Sequence, residues 1–589
     1  MQLRSVIISY MTAKTGSMHV ARIARPYKGK TYVTYLLRRS YRDGPHVKHK
    51  TLANLSHLPE RLIDIIRRSL QGESFAAATE IFHVTRSKPH GHVEAVLGTI
   101  RQLGLDRVIA AKPSRERDLV VALIAERLLF PCSKLATTRH WHSTTLAEEL
   151  SITDADVDDL YQAMDWLLAR QKTMEQKLAA RHLAEQSLVL YDVSSSFYEG
   201  HTCPLARYGH DRDGKKGLPI IVYGVLTDGD GRPVAVDVYP GNTADPKTVP
   251  DQVDKLRHRF GLKRLVLAGD RGMLTETQIE HLRKYPGLGW ISALRSQAIR
   301  GLIDEGHLQR SLFDEVNLAE IHSPDFPDER LIACYNPLLA EKRCHKRQEL
   351  LAKTEEKLKG LAKEVARRTD KPLSQTEIAL KAGRLINRWK MAKHFHLTIA
   401  DGVFRWERRQ KSLVAEERLD GIYVIRTSEP KQRLSAADSV RSYKRLSVVE
   451  RAFRSLKGID LMVRPIHHRV EPRVRAHILL CMLAYYVEWQ MRRAWAPLLY
   501  ADEELEKNRG ERDPVDPAEA SDSAQQKKQA HQTKAGFPAH SFRTLLAELG
   551  TRARETCMIA SVSEGASFTQ VVDPTPLQAE ALRLLGLGS

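Results

Sequence analysis

Residues 187–200, SLVLYDVSSSFYEG, set a carboxylate, Asp192, inside a run that otherwise reads as a buried strand. An ionised acid there is costly unless it is paired, hydrogen-bonded or bound to a metal. A lone acid of this kind is as readily explained by a loop cap or an arginine partner. A second instance changes the reading: in LVLAGDRG, residues 265–272, Asp270 closes another apolar run just before a glycine-containing turn. Ligand sites in α/β sheets gather at such strand ends. Two carboxylates brought together repel each other and raise one pKa unless a divalent cation neutralises them. Magnesium or manganese suits an all-oxygen site. Two such ions about 3.5 to 4 Å apart activate water and stabilise a leaving oxygen in phosphodiester cleavage.

A third acid is expected from a helix packed on the sheet, and residues 442–458, SYKRLSVVERAFRSLKG, supply it. Leu446, Val449, Phe453 and Leu456 form an apolar stripe at helical spacing, with Tyr443, Glu450, Arg454 and Lys457 on a neighbouring face. Ser447 and Glu450 also match a capping box, so the same acid reads equally as a helix cap. Ser194, Ser195 and Ser196 lack the glycine-flanked elbow and partnered histidine of a serine nucleophile. His467 and His468 sit among too many cations to be read as metal ligands. Between positions 441 and 475 stand ten Lys or Arg against three acids, a run that beside a carboxylate pocket reads as a phosphate track.

The elements that must position these residues follow from periodicity. Apolar runs at 188–193, 218–227 and 233–239 read as three strands, the last two joined by the DGDGR turn. Asp245-Pro246 reads as an N-cap followed by proline at the first helical position, opening a helix to about 260. A strand at 264–270, a helix from about 275 and a strand at 289–295 complete the order β-β-β-α-β-α-β. That order resembles the ribonuclease-H-like fold, in which the first and fourth strands lie side by side. The expected class is therefore α/β and multidomain: a ribonuclease-H-like mixed sheet flanked by helices, with an inserted α/β domain and an N-terminal α+β module. The expected divisions are a small α+β module at 1–85, a helical domain at 86–185 and the first part of the core at 186–295. An inserted domain at 296–430 carries a long charged helix over 341–368, with Leu350, Leu351, Leu358 and Leu361 as its buried stripe. The second part of the core at 431–498, a polar flexible linker at 499–537 and a helical tail at 538–589 complete the chain.

Composition agrees with a polyanionic partner. The chain has 589 residues and a formal net charge of +20, spread along its length, with 42% hydrophobic and 28% charged residues. Nucleic acid fits that distribution better than a membrane surface. The six cysteines stand far apart in no metal-ligand or disulfide pattern, which points to a reducing compartment. Residues 1–14 lack the apolar core of a leader, and the longest apolar run, 476–487, is too short to span a bilayer.

Taken together, these motifs resemble insertion-sequence transposases of the DDE class, in the group whose third-acid region reads Tyr, two residues, Arg, three residues, Glu, six residues, Lys. Tyr443, Glu450 and Lys457 stand in that register, while Leu446 occupies the arginine position and Arg445 falls one residue early. The likeness spans about 185–490, including YGHDRDGKKGLP after the first acid, PGNTADPKT at 240–248 and HHRVEPRVRAHILLCMLAYYV after the third. The resemblance implies hydrolysis of DNA at element ends with Mg2+ or Mn2+, two ions being expected, then attack of the freed 3′-hydroxyl on target DNA. It implies Asp192, Asp270 and Glu450 as catalytic metal ligands, with Tyr443, Lys444, Arg445, Arg454, Lys457, Arg212, Lys215 and Lys216 along the DNA. The implied partners are double-stranded DNA, as inverted-repeat ends and as target, and a second copy of the chain in a homodimeric DNA complex. The implied place is the bacterial cytoplasm, at the nucleoid, with no membrane. Two other readings remain: a metal nuclease of the same fold that never joins strands, and a basic DNA-binding protein with a degenerate site.

Overall fold

Runs of β-branched, aliphatic and aromatic residues bounded by turns build the central sheet. In the computed structural model its eight strands are β1 Leu188–Phe197, β2 Ile220–Asp228, β3 Pro233–Pro240, β4 Leu265–Ala268, β5 Leu288–Ala293, β6 Leu318–Ile321, β7 Arg330–Tyr335 and β8 Ile422–Thr427. Their order is β6-β7-β8-β5-β4-β1-β2-β3. β1, β2 and β3 form an antiparallel meander, whereas β4 runs parallel to β1 and β5 parallel to β4. The structure describes residues 17–28, 30–73, 75, 82–559 and 567–588. The leaderless reading of 1–14 lies outside them.

Every residue of β2 is buried, so both faces of the sheet are covered. The helix Leu446–Lys457 packs across β1 on one face, where the rings of Tyr223 and Phe453 meet at 5.8 Å. On the other face Gln252 of the helix Val249–Asp254 donates to Asp237 (2.7 Å) and Tyr239 (3.0 Å). The expected Asp245 cap does not form. The first turn is a 3-10 helix with Ala244 at its N-cap, and the Asp245 carboxylate is taken by Arg212 instead. The helix Glu471–Ala494, buried almost continuously from Val474 to Val487, packs on helices of the 86–185 region and on β3. Among the described residues no helix is long and apolar enough to cross a membrane.

Residues 296–430, expected as one inserted domain, divide differently. β6, β7 and β8 extend the core sheet, with Ile425 of β8 opposite Ala293 of β5. The reason is that β7 and β8 are apolar on both faces and must be paired and covered on both. Between them Pro337–Arg367, Gln375–Asn387, the hairpin Phe395–Ala400 with Val403–Arg408, and Gln410–Glu417 share a separate apolar core. Leu351, Leu358 and Leu361 are buried in it and Leu350 is half-buried.

Residues 499–537, expected as a flexible linker, carry the helices Leu505–Glu511 and Asp522–Ala530. Val515 is buried, and Lys527 donates to the carbonyls of Ala496 (2.8 Å) and Ala501 (3.2 Å) while pairing with Glu503. Ser521 caps the second helix and donates to Asp502 at 2.7 Å. Several of its polar groups are paired within the protein, a state that composition cannot distinguish from solvation. The tail helices Phe542–Gly550 and Pro576–Leu584 belong to this same unit, the latter accepting the Trp495 indole N–H at Ala581 (2.9 Å).

A smaller unit comprises 1–87 with 555–570, so part of the expected tail joins the N-terminal module. Its sheet of Met18–Tyr27, Lys30–Asp43 and His46–Asn54 is antiparallel. The segment around 41–51 is mostly strand. It turns only at Gly44, whose φ of 63° suits glycine, and Pro45. The helix Glu60–Leu70 buries Ile63. A second sheet runs in the order Ser567–Val571, Ala553–Ile559, Phe82–Pro89.

Candidate active site

The parallel register of β1 and β4 pairs Leu188 with Val266, Val189 with Leu267 and Leu190 with Ala268. The pairing ends there, two residues short of Asp192 on β1 and two residues short of Asp270 beyond the end of β4. Asp192 shares a strand face with Leu190, Ser194 and Ser196. The Ser196 hydroxyl is bonded to that of Tyr223, which touches Phe453, so this is the face covered by the helix Leu446–Lys457. Asp270 lies two residues past β4 and is exposed. Its Oδ1 accepts from the N–H groups of Gly272 (2.9 Å) and Met273 (2.8 Å). A Cβ at position 272 would stand 3.3 Å from that oxygen, so glycine keeps the turn tight.

The helix Leu446–Lys457 buries Leu446, Val449, Ala452, Phe453 and Leu456 and leaves Glu450 exposed at the edge of that face. Its N-cap is Arg445, with no side-chain cap, so the Ser447–Glu450 capping box is not formed. The helix expected over 442–458 is interrupted at Arg445, and Tyr443 sits on the preceding helix Ala436–Lys444.

Electrostatics tie these groups together. The Asp192 carboxyl is raised to about 7, by burial first and then by Asp270 and Glu450, against the Val193 N–H (2.8 Å) and Arg212. The Tyr443 hydroxyl is raised to about 12 by burial first, then by Asp270, Glu450 and Asp192, with Arg271 opposing. All three acids therefore act on Tyr443. No three His, Cys, Asp or Glu side chains among the described residues are grouped closely enough to enclose a metal ion. The donor chemistry of the three acids, oxygen alone with mutual repulsion to be relieved, fits a hard divalent cation.

Several of the expected DNA-facing cations already have partners. Arg212 Nη2 donates to both oxygens of Asp245 at 2.5 Å. Lys457 Nζ lies 2.9 Å from Asp213 Oδ1, and Arg464 Nη1 lies 2.5 Å from the same oxygen. Lys444 donates to the carbonyls of Pro514 (2.5 Å) and Val515 (3.1 Å), and Arg445 to Gly229 O and Asp230 Oδ1, both at 3.1 Å. Those two fasten the docked 499–537 segment and the β2–β3 turn. Lys215, Lys216 and Arg454 are exposed. The Arg212 N–H is bonded to Ser195 Oγ at 3.4 Å, and Ser194, Ser195 and Ser196 are buried within the strand. His467 is held by Glu199 O at 3.1 Å. Sequence reasoning passed over Asp213, which organises Lys457 and Arg464, and Arg271, which faces Tyr443. The alternating charges of GHDRDGKK were the available signal for the first.

The family described as transposase DDE domain has a model that matches residues 186–487, and that of the IS1634 family transposase N-terminal domain matches 20–80. No curated protein matches the chain. Among solved structures, a cryo-EM structure of a piggyBac transposase synaptic complex with hairpin DNA is similar at 10% identity. The similarity covers 75% of this chain and 88% of that one at a TM-score of 0.25, too low to bear on the fold.

Proposed function

Because the chain belongs to the transposase DDE domain family and is a DNA transposase, we propose that Asp192, Asp270 and Glu450 are the carboxylates that hold its divalent metal. The observation that supports this reading is the parallel β1–β4 pairing, which ends two residues short of Asp192 and of Asp270, with the helix that bears Glu450 packed on β1. We read the sheet order as ribonuclease-H-like and the Tyr443, Glu450, Lys457 spacing as the transposase signature. Magnesium or manganese, as two ions, would supply Lewis acidity and an activated oxygen nucleophile for phosphodiester cleavage and strand transfer.

The protein's own residues do the rest. The Asp192 carboxylate on β1 and the Asp270 carboxylate in the turn after β4 would present oxygen ligands, and Glu450 would add a third from the helix. Tyr443 keeps its proton at neutral pH, since its pKa is raised to about 12, and donates to a phosphate oxygen beside the acids. Exposed Lys215, Lys216 and Arg454 extend the positive surface along the DNA backbone. No enzyme nucleophile is needed, in keeping with the buried serines. We place the reaction in a homodimer on paired element ends, in the bacterial cytoplasm at the nucleoid.

The test is cleavage and joining on duplexes carrying the element's ends, with Mg2+ or Mn2+. Asp192→Asn, Asp270→Asn and Glu450→Gln should each abolish both steps while leaving end binding within a few-fold of wild type. Wild-type activity in any of the three removes that residue from the site. Cleavage without joining would favour a simple nuclease.

A further inference from the structure

A second concentration of charge lies among the helices of the larger unit, and the carboxylate site makes no use of it. Arg127 on the helix Arg115–Leu129 is 6% exposed, Lys134 is 4% exposed, and His477 on Glu471–Ala494 is 5% exposed. The His477 ring stands 5.1 Å from that of His468. His468 meets the edge of Tyr161 at 6.2 Å, and Arg473 lies over the same tyrosine at 4.3 Å. Cys481 Sγ is 3.9 Å from His477 Nε2, and Arg127 reaches the Cys132 carbonyl at 3.4 Å.

The positive groups act on one another. Burial, and then Arg127, holds Lys134 down to about 7. Burial holds His468 at about 3, with Lys134, Arg127 and Arg473 adding to it. His477 is lowered well below its usual value by burial, then by Arg127, His468 and Lys134.

Beyond the carbonyls of Cys132 and Val463, these groups lack acceptors. Lys134 has no hydrogen-bond or ion-pair partner among the described residues. Arg127 Nε and His477 Nδ1 are occluded and without a hydrogen-bond partner. His477 Nε2 is bonded to the Val463 carbonyl at 3.0 Å and so carries the proton of the neutral ring, leaving Nδ1 bare. The acid beside Arg127 in sequence, Glu126, is engaged by His140. Buried cations without a counter-charge are strongly unfavourable, and charge-assisted bonds to an oxyanion relieve that cost.

We propose that Arg127 and Lys134, beside His477, form a site for one tetrahedral oxyanion of phosphate chemistry, with Arg127 Nε and Lys134 Nζ donating to its oxygens. The phosphate group has two possible sources, free inorganic phosphate or a backbone phosphate of bound DNA. The segment leading to His468 adjoins the end of β1, where the Glu199 N–H bonds Ile466 O at 2.9 Å, and it begins at Arg464, the partner of Asp213.

Titration of the full chain with inorganic phosphate in chloride buffer at constant ionic strength, read by thermal unfolding, tests the site. Wild type should show a saturable rise in midpoint, and Lys134→Met should bind phosphate at least about tenfold more weakly. In phosphate-free buffer Lys134→Met should melt no lower than wild type, because the variant removes an uncompensated charge. Lys134→Gln, which keeps a polar head group, should behave as Lys134→Met does. A wild-type midpoint that follows ionic strength alone overturns the proposal, as does an undiminished phosphate response in both variants, or loss of the fold in both without phosphate. Gel shifts over a range of salt then identify the source. A DNA phosphate in the site makes inorganic phosphate compete with the duplex and lowers the salt dependence by about one contact in Lys134→Met. A free ion leaves duplex affinity unchanged and the phosphate response intact with DNA bound. Either result supports the site.

Discussion

Lys457 and Asp213, 244 positions apart, are joined at 2.9 Å through a carboxylate that is 1% exposed. The same carboxylate holds Arg464 and receives the N–H of Phe197 at 3.1 Å on its other oxygen, so one buried acid ties the end of β1 to two cations beside the Glu450 helix. Removing its charge leaves both cations partly desolvated and unmatched. Asp213→Asn should therefore lower stability by about 3 kcal/mol, visible as a drop in the urea midpoint at unchanged slope. A midpoint equal to that of wild type would show that the pair contributes nothing. Lys457→Ala should also destabilise, because it withdraws a partner from a buried acid. Its expected effect is larger on stability than on the salt dependence of DNA binding.

Glu450 is exposed, caps nothing and lies beside the buried stripe of its helix. Glu450→Gln should move the unfolding midpoint by no more than about 0.5 kcal/mol while removing metal-dependent cleavage. A variant that lost its fold instead would return this residue to a structural role.

Asp192 predicts a pH dependence in the metal-free protein. Its folded pKa of about 7 lies above an unfolded value of about 3.9, so its contribution is fully present below about pH 4 and is lost as pH rises through 7. The span is at most about 4 kcal/mol. In EDTA, Asp192→Asn should flatten the stability profile between those limits. Adding Mg2+ at pH 8 should stabilise wild type and leave the substituted protein unmoved. Parallel profiles for the two proteins would remove Asp192 as the source.

His182 works in the opposite direction. Arg232 Nη1 donates to its Nδ1 at 2.8 Å and Tyr486 meets its Nε2 at 2.8 Å, so the ring is neutral with its proton on Nε2. Burial first, then Arg232 and Arg181, lower its pKa to about 4, below an unfolded value of about 6.5. The stability it contributes is present above 6.5 and lost as pH falls through 4, roughly 1–2 kcal/mol after screening of this half-exposed ring. His182→Gln, which offers an acceptor and a donor without titrating, should lose less stability than wild type over that range in acid unfolding. Equal losses would assign the acid sensitivity elsewhere.

What the sequence determined by itself was local. Alternation and apolar runs marked β1 to β5, because a strand's side-chain period is written in consecutive residues. The 3.6 period marked the Glu450 helix and the stripe of Pro337–Arg367 for the same reason. An acid inside one apolar run and an acid closing another were conspicuous enough to name Asp192 and Asp270. Tertiary structure decided everything that depends on a partner far along the chain. The parallel pairing of β1 with β4, which leads towards Asp192 and Asp270, is a property of two strands together, as is the addition of β6, β7 and β8 to the same sheet. Whether a charge faces water or a counter-charge is likewise invisible in one segment. Lys444, Arg445 and Lys457 read as DNA-facing, yet their bonds go to Val515, Asp230 and Asp213, and the polar 499–537 segment docks because its groups find such partners. The physical reason is that propensity acts between neighbours in sequence, whereas pairing energy acts between neighbours in space, and only the folded chain brings the second kind together.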